Sequence, residues 1–162
     1  MSWLTNHQLE QFVQQYGDER TKAAFLGVFP IDALPHEIHD YPILLIVNTQ
    51  PQNLKGEHWF ALYISSQRVG EIFDSAALPV DLRISRWLNR FAHRWTRNHL
   101  IYQSPLSPIC GAYALYYILN RLNTNSMKDV LFPKHLNKHI NDSFIQDWYH
   151  KLRHQSRNKI EV

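Results

Sequence analysis

Three apolar, β-favouring runs follow one another between Ile43 and Ser75: ILLIVNT (43–49), HWFALYIS (58–65) and VGEIFDS (69–75). Only the polar SSQR turn joins the second to the third. So short a connection reads as an antiparallel hairpin, because parallel neighbours need a crossover of a dozen or more residues. Phe60, Leu62 and Ile64, then Val69, Ile72 and Phe73, alternate imperfectly with polar residues, as in strands covered on both faces. The runs therefore predict a central, mostly antiparallel sheet packed by helices.

Helical spacing frames this sheet. Leu9, Phe12, Val13 and Tyr16 follow a Thr5/Asn6 cap and precede Gly17, giving a first helix over 5–16. Residues 17–42 mix Pro30 and Pro35 with scattered apolar residues and read as a packed loop with at most one short element. Ile84, Trp87, Leu88, Phe91 and Trp95 predict a helix over 80–97, and HLIYQ (99–103) a further strand. The Pro-bounded loop SPLSP leads into an apolar helix from Ile109 or Cys110 to about Leu122. A last amphipathic stretch, SFIQDWYHKL, lies in the tail beyond about residue 140, where there is least pattern to read. This order predicts an α+β fold, and 162 residues suit one domain over 1–162 that buries roughly 70% of its unfolded surface.

Composition excludes several classes of protein. With a single cysteine no intramolecular disulfide forms, and the start MSWLTNHQLEQ lacks the basic and apolar regions of a signal peptide. No apolar run approaches the ~20 residues of a membrane span. The expectation is a soluble, intracellular monomer with no membrane partner. His135 and His139 stand four apart, but no further ligand completes a zinc site, and neither HExxH nor a Gly-rich phosphate loop occurs. No metal or nucleotide cofactor is expected.

The chemistry gathers around Cys110. A lone cysteine is usually a buried structural residue. Here, however, Ser107-Pro108 precedes it in the manner of a helix entry, and the helix N-terminus favours an anionic sulfur. A nucleophilic thiol needs a base, a group that orients the base, and donors for an oxyanion. His58 opens one strand and Asp74 closes the next, sixteen residues later. In an antiparallel hairpin these two ends are neighbours, and Gln103 lies seven residues before Cys110.

This set, His58-Trp59, Asp74, Gln103 and Cys110-Gly111, resembles that of the adenovirus-type cysteine proteases (adenain) and, more distantly, the SUMO proteases. AFLGVFP (24–30), IVNT (46–49) and GEHWFALYI (56–64) resemble adenain segments in the same order, so the likeness spans roughly 5–122. The resemblance implies a papain-like, adenain-like fold with the nucleophile at the N-terminus of a buried helix. It implies Cys110 as nucleophile, His58 as base and then acid, and Asp74 as orienter of the imidazole. Gln103 and the Cys110 backbone N–H would form the oxyanion hole. Trp59 and Gly111 are candidates for the substrate groove. The implied activity is endopeptidase processing of viral or transposon structural precursors, with protein or polyprotein substrates, in a host nucleus or virion.

Two departures from adenain matter. Asp74 stands where adenain has Glu and is similar to the SUMO-protease choice. Adenain's activating peptide attaches by a disulfide to a second cysteine, which this chain lacks, so any activating peptide would bind non-covalently. Adenain also uses DNA as a cofactor. Here no acidic residue occurs between Asp81 and Asp129, and Arg83, Arg86, Arg90, Arg94 and Arg97 would share an arc of about 80° on a continuous helix. That arc is a candidate duplex-DNA track or a solvated polar face. The same triad type also serves isopeptidases of ubiquitin-like modifiers and acetyltransferases, and a non-enzymatic binder could retain the fold.

Overall fold

A computed structural model describes residues 4–49, 58–105, 107–130 and 137–158. Gly56 and Glu57 before His58, Leu106 of the SPLSP loop, and His135 lie outside the described residues. Elements run α1 (Asn6–Tyr16), α2 (Glu19–Ala24), β1 (Phe25–Pro30), β2 (Ile43–Asn48), β3 (Trp59–Ile64), β4 (Val69–Phe73), α3 (Leu82–Phe91) and β5 (Arg94–Arg97). Then come α4 (Cys110–Asn120), a 3-10 turn (Arg121–Asn123), α5 (Met127–Val130) and α6 (Lys138–Asn158). The five strands form one sheet in sequence order.

The hairpin forms as its short turn requires. β3 pairs antiparallel with β4, Leu62 opposite Ile72 and Ala61 opposite Phe73, and β2 pairs antiparallel with β3. Every residue of β2 and β3 is buried, with strict sorting between faces. Leu44, Ile46, Trp59, Ala61, Tyr63 and Phe73 join the core under α1, α4 and α6. Ile43, Leu45, Val47, Phe60, Leu62, Ile64 and Ile72 join the core under α3. Two-sided burial explains the imperfect polar alternation, since neither face meets water.

The outer strands correct the expected architecture. β1 pairs parallel with β2 and β5 parallel with β4, so the sheet is mixed rather than mostly antiparallel. Residues 17–42 hold α2 and β1 as well as a loop. Asp18 caps α2, its side chain accepting from Thr21 N at 2.8 Å. β1 carries a bulge between Phe25 and Gly27, and Gly27 takes φ 135°, a region open to glycine.

The helix expected over 80–97 stops at Phe91, because Ala92 turns extended and Arg94–Arg97 takes up the free edge of β4. In RWTR, exposed Arg94 and Thr96 alternate with half-buried Trp95 and Arg97, which is strand period. Residues 99–103 are not a strand: Leu100 and Ile101 are exposed, and Tyr102 N and Gln103 N both donate to Ser75 O. The tail helix is longer than its apolar pattern indicated, running from Lys138 to Asn158.

The middle of β4 is fixed by a buried ion pair. Arg121 Nε and Nη2 donate to Glu71 at 2.7 and 2.8 Å, and the Tyr117 hydroxyl also donates to that carboxylate. Burial opposes the Arg121 charge, but the Glu71 bonds and charge outweigh it and raise its pKa. Removing one partner of such a pair strands the other charge, so Glu71→Ala should lower unfolding free energy by about 3–5 kcal/mol. Urea denaturation checks this, and a loss under about 1 kcal/mol would show that the pair is not a structural clamp.

Candidate active site

His58 stands immediately before β3 and Asp74 immediately after β4, so the hairpin register puts them side by side. His58 Nε2 lies 2.8 Å from Asp74 Oδ1, with the side chains 14% and 7% exposed. Asp74 Oδ1 also accepts from Ala76 N at 2.9 Å and Oδ2 from Leu78 N at 3.3 Å. Both carboxylate oxygens are therefore tied down by the turn that follows, in which Ala77 takes φ 47°. The turn fixes the carboxylate, and the carboxylate fixes the ring.

Cys110 is the first residue of α4. Its side chain is buried and hydrogen-bonds with His58. Ser107 does not cap α4: Ile109 holds the N-cap place with no side-chain bond, and no described residue partners the Ser107 hydroxyl. Proximity to the histidine, rather than a serine cap, is what the surroundings supply.

Burial of the His58 ring disfavours its charge, yet hydrogen bonds to Asp74 and Cys110 and their charges prevail, raising its pKa from 6.5 to about 10. The imidazole is then protonated at neutrality. Because the folded value lies above the unfolded one, the stabilisation this group gives is complete below pH 6.5 and is lost as pH rises through about 10.

Gln103 is buried, its Oε1 accepting from Ser75 Oγ and its Nε2 donating to Ser107 O at 3.1 Å. It lies on the loop that leads to Cys110. Trp59 and Gly111 are both buried: the indole N–H donates to Asn6 Oδ1 at 2.8 Å, and a Cβ on Gly111 would stand 3.5 Å from the Trp59 ring. They pack the base of the site against α1. A cavity of ≈ 140 Å³ opens on the α3 side of the dyad, lined by His58, Asp74, Ile31, Phe60, Ile72 and Ile84 among others.

The expected arginine stripe divides. Arg83, Arg86 and Arg90 lie on α3, whereas Arg94 and Arg97 lie on β5. Arg83 is paired with Asp81 at 2.9 Å, and Arg90 sits 4.9 Å from the Phe91 ring centroid. Arg94 lines a polar cleft with Arg20 and Arg121 at the sheet end away from Cys110. His139 faces Ser104 Oγ, and no group of three potential ligands among the described residues could hold a metal ion.

Sequence reasoning missed the residues behind the site. Asn98 clamps the Asp74 backbone from both sides, accepting from Asp74 N at 2.9 Å and donating to Asp74 O at 2.6 Å. Asn141 Nδ2 donates to Tyr102 O, and the Asp142 carboxylate accepts from Ser104 N and from the Tyr113 hydroxyl. Helix α6 thus pins the loop that carries Gln103. No described helix is long and apolar enough to cross a membrane.

The chain is similar in fold to two crystal structures of the ASFV pS273R protease, with TM-scores of 0.55 and 0.60 and 18% identity to each. These alignments cover 87% of this chain and 67% and 64% of the protease, so the chain spans about two thirds of that protein. It is also similar to the central domain of the uncharacterized Lpg1148 protein from Legionella pneumophila, with a TM-score of 0.54 and 14% identity over the whole of both chains. Neither a protein-family model nor a curated protein sequence matches it. At these identities the likeness establishes the fold: an α+β sheet packed by helices, similar to that of a cysteine protease.

An NMR titration tests the electrostatics. His58 should stay protonated through neutrality and titrate near pH 10, and in Asp74→Asn it should move back toward 6.5. A wild-type His58 titrating near 6.5 would contradict the charged site.

Proposed function

We propose that the protein is a cysteine endopeptidase that processes structural precursor proteins of viral or transposon type. The observation that carries this reading is His58, hydrogen-bonded to both Asp74 and Cys110. Fold similarity to the ASFV pS273R protease supports it.

In this reading the Cys110 sulfur attacks the scissile carbonyl carbon, and the negative charge moves to the carbonyl oxygen. Gln103 Nε2–H and the Cys110 backbone N–H donate to that oxygen. The carbon–nitrogen bond then breaks as the proton on His58 passes to the leaving amine, and a thioester remains on Cys110. Neutral His58 next takes a proton from water, whose oxygen attacks the thioester carbon. The carbon–sulfur bond breaks, releasing the acid and restoring the sulfur and imidazolium.

A second reading, an isopeptidase of ubiquitin-like modifiers, is favoured by Asp74, the carboxylate that SUMO proteases use. Duplex DNA and a non-covalent activating peptide belong to the proposal as effectors. Exposed Arg86, Arg90 and Arg94 would supply the phosphate contacts.

The test is parallel incubation with a fluorogenic Gly-Gly peptide amide, a ubiquitin-like conjugate and acetyl-CoA, each with and without duplex DNA. Peptide cleavage is expected, abolished by Cys110→Ala and lowered about 10²–10³-fold in kcat by Gln103→Ala. Cleavage retained in Cys110→Ala would overturn the thiol mechanism. Acetyl transfer or conjugate cleavage alone would replace the endopeptidase reading. A rate indifferent to DNA would remove the nucleic-acid effector.

A further inference from the structure

Ser75 follows the triad carboxylate directly and is 1% exposed. Its carbonyl accepts from Tyr102 N at 2.8 Å and from Gln103 N at 3.2 Å, and its hydroxyl donates to Gln103 Oε1. It therefore grips Gln103 by backbone and by side chain. Asp74, just past the end of β4, thus adjoins the residue that holds the amide.

The direction of the Gln103 amide follows from its other neighbour. Ser107 O is a carbonyl and can only accept, so the Gln103 nitrogen must face it, as the 3.1 Å contact records. Oε1 then faces Ser75 and receives the single hydroxyl proton that serine has to give. One Nε2–H is engaged by Ser107 O, and the second has no acceptor among the described residues. Without the Ser75 hydroxyl, the Gln103 oxygen would be buried without that donor, and the amide would lose the bond that resists rotation.

We propose that Ser75 is the positioning residue of the oxyanion hole, its buried hydroxyl holding the Gln103 amide so that one Nε2–H is presented to the developing oxyanion. This rests on the proteolytic reading above. The same short segment then serves both halves of the chemistry: Asp74 sets the imidazole and Ser75 sets the oxyanion donor. Ser75 touches no reacting atom and acts only through Gln103.

The prediction separates this role from a merely structural one. Ser75→Ala should lower kcat on the fluorogenic Gly-Gly peptide amide about 10- to 50-fold with KM changed less than about twofold. Alkylation of Cys110 by iodoacetamide, which forms no oxyanion, should keep its wild-type rate. In a Gln103→Ala background, Ser75→Ala should cost less than about twofold more, because the two residues act as one unit. Ser75→Gly removes the same hydroxyl without adding an atom and replaces the alanine variant if that one fails to fold.

An unchanged kcat, an additive loss in the double variant, or alkylation slowed in step with hydrolysis would overturn the assignment. If the wild-type protein neither cleaves the peptide nor reacts at Cys110, the proteolytic reading itself fails and takes this one with it. Wild-type cleavage with an indifferent Ser75→Ala variant sinks the Ser75 role alone.

Discussion

The antiparallel register of β3 on β4 is the constraint on which the site depends. Leu62 opposite Ile72 fixes the hairpin, and His58 and Asp74 meet because they flank those strands at the same end. A slip of one residue would send every side chain of a strand to the other face. Both faces of this sheet are apolar core, so such a slip would exchange two differently shaped packing surfaces rather than core for water. Shape and the short turn, more than polarity, hold His58 in line with Asp74.

Around that dyad the molecule adds layers of hydrogen bonds. Asn98 holds the Asp74 backbone, the following turn holds its carboxylate, and Ser75 holds Gln103. Helix α6 reaches the same loop from behind through Asn141 and Asp142. Tyr113 of the cysteine-bearing helix donates to Asp142, so α4 and α6 are coupled at the point where the loop passes between them. The burial of Tyr113 and its bond to Asp142 both raise its pKa, keeping the phenol a donor.

The hairpin, the helix starting at Cys110 and the convergence of His58, Asp74 and Cys110 were legible because each leaves a local signature. A short polar turn, a strand end and a helix start are readable from a few residues. β1 was not, because it is a half-exposed edge strand whose alternation is broken by a bulge at Gly27. β5 was hidden by its length: Trp95 continues the helical arc of Trp87 and Leu88 by coincidence, and only pairing with β4 decides otherwise. Asn98 and Ser75 act across 24 and 28 residues, on partners that no periodicity links. The arginine arc divides between α3 and β5 for the same reason, since it presumed one continuous element.

The central claim is that Cys110 is a nucleophile worked by His58. Its most direct test is intact-mass measurement after treatment with a Gly-Gly peptide vinyl sulfone, in a chain whose single cysteine makes the assignment unambiguous. The account predicts one adduct, mapped to Cys110 and lost in His58→Ala. No adduct on Cys110, or one formed at the same rate without His58, would contradict it.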